Sequence, residues 1–294
     1  MSRSSQRSTI KDMTNGSPAK LILGFAVPML MGLLFQQFYS MVDTIIVGKF
    51  LGVDALASVG STSAINFMIN GFVIGVCTGF SIPVAQRFGA QDYKDMRRFV
   101  ANAGWIASCF AVVMTVIVCL MTRQILVWMQ IPDDIAEEAN AYMFVVLLGT
   151  GATVFYNMIS NMLRALGDSK TPLYFLVFSS VLNIILDIVF IVPMHMGVAG
   201  AAWATILSQF LSAVFSTVVG LRNFPILHLR REDFHDLKGA AVLHLKTGFP
   251  MGFQMSVMCI GQLAMQAVVN SLGNGCGCRL HGSFQSRPAL RPCE

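Results

Sequence analysis

"PLYFLVFSSVLNIILDIVFIVP" occupies residues 172–193. As a helix rising 1.5 Å per residue it would reach roughly 33 Å, enough to cross the hydrocarbon core of a bilayer. The stretch carries no Lys or Arg, so it reads as a membrane-spanning helix. Two of its residues resist that setting. Asn183 and Asp187 fall four apart, which puts them on one helical face, one turn from each other. A carboxylate at membrane depth costs about 2.5 to 3.5 kcal/mol even on the most forgiving insertion scale. A helix that keeps one has a use for it.

The rest of the chain supports a membrane setting. Of 294 residues, 55% are hydrophobic and 12% charged, with a mean hydropathy of +0.65; soluble domains carry roughly 25% charged residues. The fold class expected is all-α, a polytopic membrane helix bundle. Seven spans are expected, near 20–44, 57–85, 100–121, 139–162, 172–193, 199–221 and 247–272. The domain division that follows is a tail (1–19), a six-helix lobe (20–221), a linker (222–246), a seventh helix (247–273) and an off-pattern tail (274–294). No phosphate-binding loop of the Walker type is present, which argues against an ATP-driven pump on this chain. Four cysteines, Cys77, Cys109, Cys119 and Cys259, lie singly in apolar segments, where they act as small hydrophobes. Nothing suggests a soluble enzyme, a cofactor beyond a coupling ion, or a nucleic-acid partner. The net charge of +5 resides in particular loops.

Those loops set the orientation. Basic residues cluster before the first span (Arg3, Arg7, Lys11, Lys20) and between the second and third (Arg87, Lys94, Arg97, Arg98). They recur as Arg164 and Lys170 and then as Arg222, Arg230, Arg231, Lys238 and Lys246. The alternate loops hold only Lys49, Arg123 and the acidic "PDDIAEE" (132–138). By the positive-inside bias the N-terminus is cytoplasmic. Asp43 then lies roughly 34 Å and Asp187 roughly 22 Å along helices that both start inside, so both carboxyls belong to the outer half of the membrane. No Lys or Arg lies well inside a span to pair with them. A buried carboxyl without a fixed positive partner holds a proton or binds a cation. Asn183 adds an amide oxygen suited to a hard cation, so Asp43, Asn183 and Asp187 are a candidate Na+ or H+ site. The next span offers Thr205 and Ser208, and Gln36, Tyr39 and Asp43 form one polar stripe on the first. Gln36, Tyr39, Asn66 and Asn157 are candidate cavity-lining residues. For the amides of Gln36, Asn66, Asn70, Asn157 and Asn161, plain interhelical hydrogen bonding is an equal alternative.

Several longer motifs carry a resemblance. "FQQFYSMVDTIIVGKFLGVDALASVG" (35–60), "SIPVAQRFGAQD" (81–92), "RALGDSKTP" (164–172), "NIILD" and "GVAGAAWAT" (197–205) resemble, in the same order, motifs of the multidrug and toxic compound extrusion (MATE) family. The resemblance covers about residues 15–273. It implies one six-helix lobe of a twelve-helix transporter plus the first helix of a second lobe. It also implies export of small organic, often cationic, drugs across the plasma membrane in exchange for H+ or Na+. On that resemblance Asp43, Asn183, Asp187 and Thr205 form the cation site, and Pro28 is a point at which the first helix bends. A flippase for lipid-linked sugars, from a related branch, would need basic residues in the cavity, and none is seen within the spans.

The lobes of such transporters are parallel repeats, and "GFAVPMLMG" (24–32) recurs loosely as "GFPMGFQMS" (248–256). The second copy breaks after "SLG" (271–273) into "NGCGCRLHGSFQSRPALRPCE", which has no helical period. Codons compatible with Asn274 to Gln285, read one base later, can spell a continuation that parallels "LGVDALASVGSTS" (51–63). The tail is therefore expected to be a frame error, with five helices missing; the alternative is a divergent tail on a half-transporter that does not transport unless two copies pair. Among smaller features, "GFVIG" (71–75) has a glycine spacing that permits close helix approach. Most of the nineteen Met are packing and lipid-facing filler, and His195 reads as a surface residue in a turn.

Overall fold

The computed structural model describes residues 17–128, 133–224 and 237–285. Eight helices follow one another: α1 (Pro18–Phe50), α2 (Val53–Gly89), α3 (Tyr93–Trp128), α4 (Asp133–Leu148), α5 (Thr150–Ala165), α6 (Lys170–Ile191), α7 (Gly197–Asn223) and α8 (Leu237–Gln285). Five of them, α1, α2, α3, α6 and α7, are long and apolar enough to cross a membrane. The chain is a polytopic helical membrane bundle. Its outer faces carry the side chains that lipid would cover, among them Phe38, Trp105, Val112, Leu120 and Val181, each more than half exposed.

The fourth expected span, 139–162, is not one straight helix. It is the pair α4 and α5, bent by 41° at a break of one residue, and counts as a sixth span only when joined. The break is at Gly149, against which Ile206 of α7 packs so closely that a Cβ there would overlap it. A helix reorients cheaply where a residue without Cβ lets a neighbour in. The seventh expected span, 247–272, falls within α8, which begins ten residues earlier. The early start has a packing cause: His244 of α8 is fully buried between Phe80 of α2 and Phe99 of α3. α8 runs on through Gln285, twelve residues into the expected off-pattern tail (274–294), so the helical backbone does not break at 273; residues 286–294 lie outside the described residues. The other helices overrun their expected spans at one or both ends, because helical hydrogen bonding continues past the apolar stretch.

The most extensive packing in the molecule joins α2 to α8. Gly71, Gly75 and Gly79 of α2 meet Gly248, Gly252 and Cys259 of α8 almost backbone to backbone; an added Cβ on Gly75 would lie 2.8 Å from the Gly252 Cα. The "GFVIG" spacing, uninformative in the sequence alone, belongs to this contact. Its flank is an apolar core of α2, α3 and α5 that includes Val73, Val76, Phe80, Phe99, Met158 and Leu163. On the other side of the lobe α6 and α7 pair closely and α1 leans on α6. The start of α6 is fixed by Asp168, whose Oδ1 accepts from the amides of Lys170 and Thr171, both at 3.0 Å. This satisfies two of the amides left open at the helix start, where Pro172 has no N–H to satisfy.

Candidate cation site

The α1–α6–α7 side of the lobe brings together the residues singled out in the sequence. Asp187 and Asn183 of α6 are buried, at 0% and 1% exposure. Asp43 of α1 lies close enough to Asp187 for the two carboxyls to interact electrostatically. The Oδ1 atoms of both are buried and meet no hydrogen-bond partner among the described residues. Among the described residues no basic group acts on either carboxyl.

Asn183 joins this pair to α7. In the amide orientation that satisfies its surroundings, its nitrogen donates to Asp187 Oδ2 at 3.2 Å and its oxygen accepts from the Thr205 hydroxyl at 3.3 Å. The spacing of 183, 187 and 205 thus becomes one continuous polar chain across two helices. Oxygen atoms from two acids, an amide and a hydroxyl are the donor set a hard cation takes. Among the described residues no group of three or more His, Cys, Asp or Glu side chains could hold a metal ion, so a transition-metal centre has no ligand set here.

Of the proposed lining residues, Gln36 and Tyr39 border a small cavity beside Asn183. Asn66 and Asn157 do not border it. The Asn66 Oδ1 is buried without a hydrogen-bond partner, and Asn157 donates to the carbonyl of Thr153 within its own helix at 2.8 Å. Asn161 does join helices: it donates to Thr78 of α2 at 3.3 Å and accepts from Arg164 at 3.2 Å. Pro28 sits inside α1, which continues as helix through it. His195 lies in the α6–α7 turn, exposed, with φ +49°.

Two groups were missed in the sequence. Tyr142 of α4 lies close enough to Asp43 and Asp187 to feel both charges, and packs with the apolar cluster around Ile46 and Ile191. Tyr156 of α5 borders the cavity. Neither stands out locally, because a lone Tyr in an apolar helix more often serves packing or the interface. The nearness of Tyr142 to the carboxyls and the place of Tyr156 at the cavity exist only after folding.

A polytopic bundle of membrane helices that buries ionisable and amide side chains in its interior fits the class of membrane transporters. Comparison gives the family. The MatE family profile matches residues 28–189, more than half of the chain, and the chain belongs to that family. Probable multidrug resistance protein YpnP of Bacillus subtilis is 31% identical over 265 residues, covering 90% of this chain and 59% of the relative. A crystal structure of a MATE transporter in a straight conformation superposes with a TM-score of 0.78 at 27% identity, over 87% of this chain and 57% of that one. One in a bent conformation gives 0.77 at 28%, over 84% and 55%. The chain therefore spans a little over half the length of the proteins it matches.

Proposed function

We propose that this chain supplies the ion-coupling lobe of a multidrug exporter that exchanges small organic cations for H+ or Na+. One observation carries the reading: Asp43 and Asp187 interact in the interior of the lobe with no basic residue beside them among the described residues. Such a pair gains stability from one added positive charge, whether proton, Na+ or cationic drug. An ion entering at the pair favours the arrangement in which the carboxyls are close. A bound organic cation competes for the same charge. Coupling follows, since an ion shifts a conformational balance only by its different affinity for the two states. Asn183 and Thr205 orient the Asp187 carboxyl, and Tyr39 and Tyr142 border the pair. Pro28, which removes one backbone hydrogen bond from α1, is the point at which α1 would bend as the ion leaves.

The orientation proposed has the N-terminus and the Arg87, Arg97, Arg98 and Arg164 end in the cytoplasm, in the plasma membrane. The names of YpnP and of the other relatives support drug export. The test is accumulation of a fluorescent organic cation in bacterial cells expressing the chain, against cells expressing Asp43→Asn. Lower accumulation with the native chain alone is expected. Equal accumulation in both sinks the exchange site as drawn.

A further inference from the structure

The break in the fourth span, at Gly149, falls midway between Tyr142 and Tyr156 in the sequence. Tyr142 lies near the carboxyls and Tyr156 borders the cavity, so the angle at Gly149 sets where one stands relative to the other. The backbone there does not call for glycine: its φ is −72° and its ψ −5°, a negative φ open to any residue. The Gly149 N–H donates to the Val145 carbonyl at 3.0 Å, and the Gly149 carbonyl accepts from the Thr153 N–H at 3.1 Å. The helical bonds to and from the pivot residue are therefore kept. Glycine supplies room instead, since an added Cβ would overlap Cγ1 and Cδ1 of Ile206 on α7. The 41° bend is held by a side chain wedged against its pivot.

A second contact ties α7 to the same break. Gln209 lies on the same face of α7 as Ile206, and its Oε1 accepts from the Thr153 hydroxyl of α5 at 3.0 Å. That hydroxyl also lies 3.4 Å from the Gly149 carbonyl. A threonine that bonds back to the carbonyl four residues earlier often bends its helix, and this one has a single proton to divide between the pivot and α7. The residue before Ile206 is Thr205, about 100° round the helix, which meets Asn183 at 3.3 Å. One turn of α7, residues 205–209, thus touches the candidate ion site, the break and the cavity. So short a piece of helix moves as a rigid body, and a displacement of Thr205 carries Ile206 with it.

We infer that Ile206 is a positioning residue: it wedges the α4–α5 break at Gly149, and a cation bound beside Thr205 moves the wedge and so re-angles α4 against α5. The inference rests on the exchange reading above and names the route by which occupancy of that site reaches the cavity wall. Ile206 does not border the cavity; it acts through the bend. Close-packed atoms pass a displacement on because the contact between them cannot be compressed. Tyr142 and Tyr156, on the two arms of the bend, then shift relative to each other, and the cavity changes shape with them.

The test reads the angle between the two arms. Nitroxide labels at Ala141→Cys and Ala165→Cys, in a full chain whose native cysteines are replaced by alanine, would stand roughly 36 Å apart along a straight helix and roughly 34 Å apart at the 41° bend. Pulsed electron resonance measures that distance, and ethidium fluorescence measures binding in the same sample. Without ethidium, Ile206→Ala should lengthen the distance toward the straight value. Ethidium should shift the distance in the chain with Ile206 by a resolvable part of that roughly 2 Å difference, and leave it fixed in Ile206→Ala. Ile206→Val keeps the branched wedge and should keep the shift, which separates positioning from a general packing defect. An unliganded Ile206→Ala distance equal to the native one overturns the wedge, whatever that variant binds. Ethidium that binds, and binds less well to Asp187→Asn, without moving the native distance overturns the inference and leaves the exchange site standing; an equal shift in Ile206→Ala does the same. Ethidium that does not bind, or binds Asp187→Asn equally well, overturns the exchange site and the inference with it.

Discussion

The α2–α8 contact makes a sharp prediction about glycine. Gly75→Ala places a methyl 2.5 Å from the Met251 carbonyl oxygen and 2.8 Å from the Gly252 Cα, where ordinary contact begins at 3.4 Å. Both neighbours are backbone and cannot swing aside, so the helices must part by about 0.9 Å. A gap of about that size forfeits a quarter to a half of the dispersion attraction of the atoms that line it. Overpacking of this kind costs about 1 to 3 kcal/mol. Replacing Gly by Ala inside a helix returns about 0.5 to 1 kcal/mol. The net loss is then about 1 to 2 kcal/mol. At about 2 to 4 °C per kcal/mol, the melting temperature of the purified chain in detergent should fall by several degrees. Gly104→Ala on α3 is the control, since nothing lies within 4 Å of its added Cβ. It should gain the helix term alone and melt slightly higher. If Gly75→Ala melts as high as Gly104→Ala, the two helices are not in backbone contact and the packing argument fails.

Two further outcomes follow from the end of the lobe that carries Arg87 and Arg164. Asp168→Ala removes the acceptor of two amides at the start of α6 and should lower stability by about 1 kcal/mol, with Asp168→Asn losing less; equal melting of all three proteins would contradict the capping role. His244, just before the expected seventh span, faces the Phe99 carbonyl through Nε2 at 3.1 Å, and burial lowers its affinity for a proton below that of an ordinary histidine. The unfolded chain therefore binds a proton that the folded chain refuses, so stability is full above the ordinary value of 6.5 and is lost as pH falls below it. Melting curves of His244→Gln should show a smaller loss than the native chain between about pH 7 and pH 5; identical pH slopes would place the acid sensitivity elsewhere.

Much of the lobe was legible in the sequence because membrane helices are declared by composition. A run such as 172–193 needs no tertiary information to be recognised, and the basic loop before it marks its start. Asp43 and Asp187 stood out for the same reason, since a lone acid in apolar sequence is costly wherever it points. Asn183 and Thr205 followed from helical spacing and from the resemblance together. What stayed hidden depends on neighbours. The bend at Gly149 is set by Ile206, more than fifty residues away in sequence. The burial of His244 is set by two phenylalanines from other helices, and it explains why α8 starts before the apolar run does. Tyr142 and Tyr156 are single aromatic residues in helices rich in apolar ones, and only the fold brings one to the carboxyls and the other to the cavity. Asn66 and Asn157 do not border the small cavity beside Asn183, and residue type alone does not give the facing direction.

The account turns on whether the Asp43–Asp187 pair exchanges one positive charge for another. The most direct measurement is the release of H+ or Na+ when an organic cation such as ethidium is added to the purified chain, read with a pH dye in weak buffer and a sodium-sensitive electrode. The account predicts release of about one coupling cation for each ethidium bound, and loss of that release in Asp43→Asn and in Asp187→Asn. Ethidium binding that releases neither ion, or release that survives both substitutions, would contradict it.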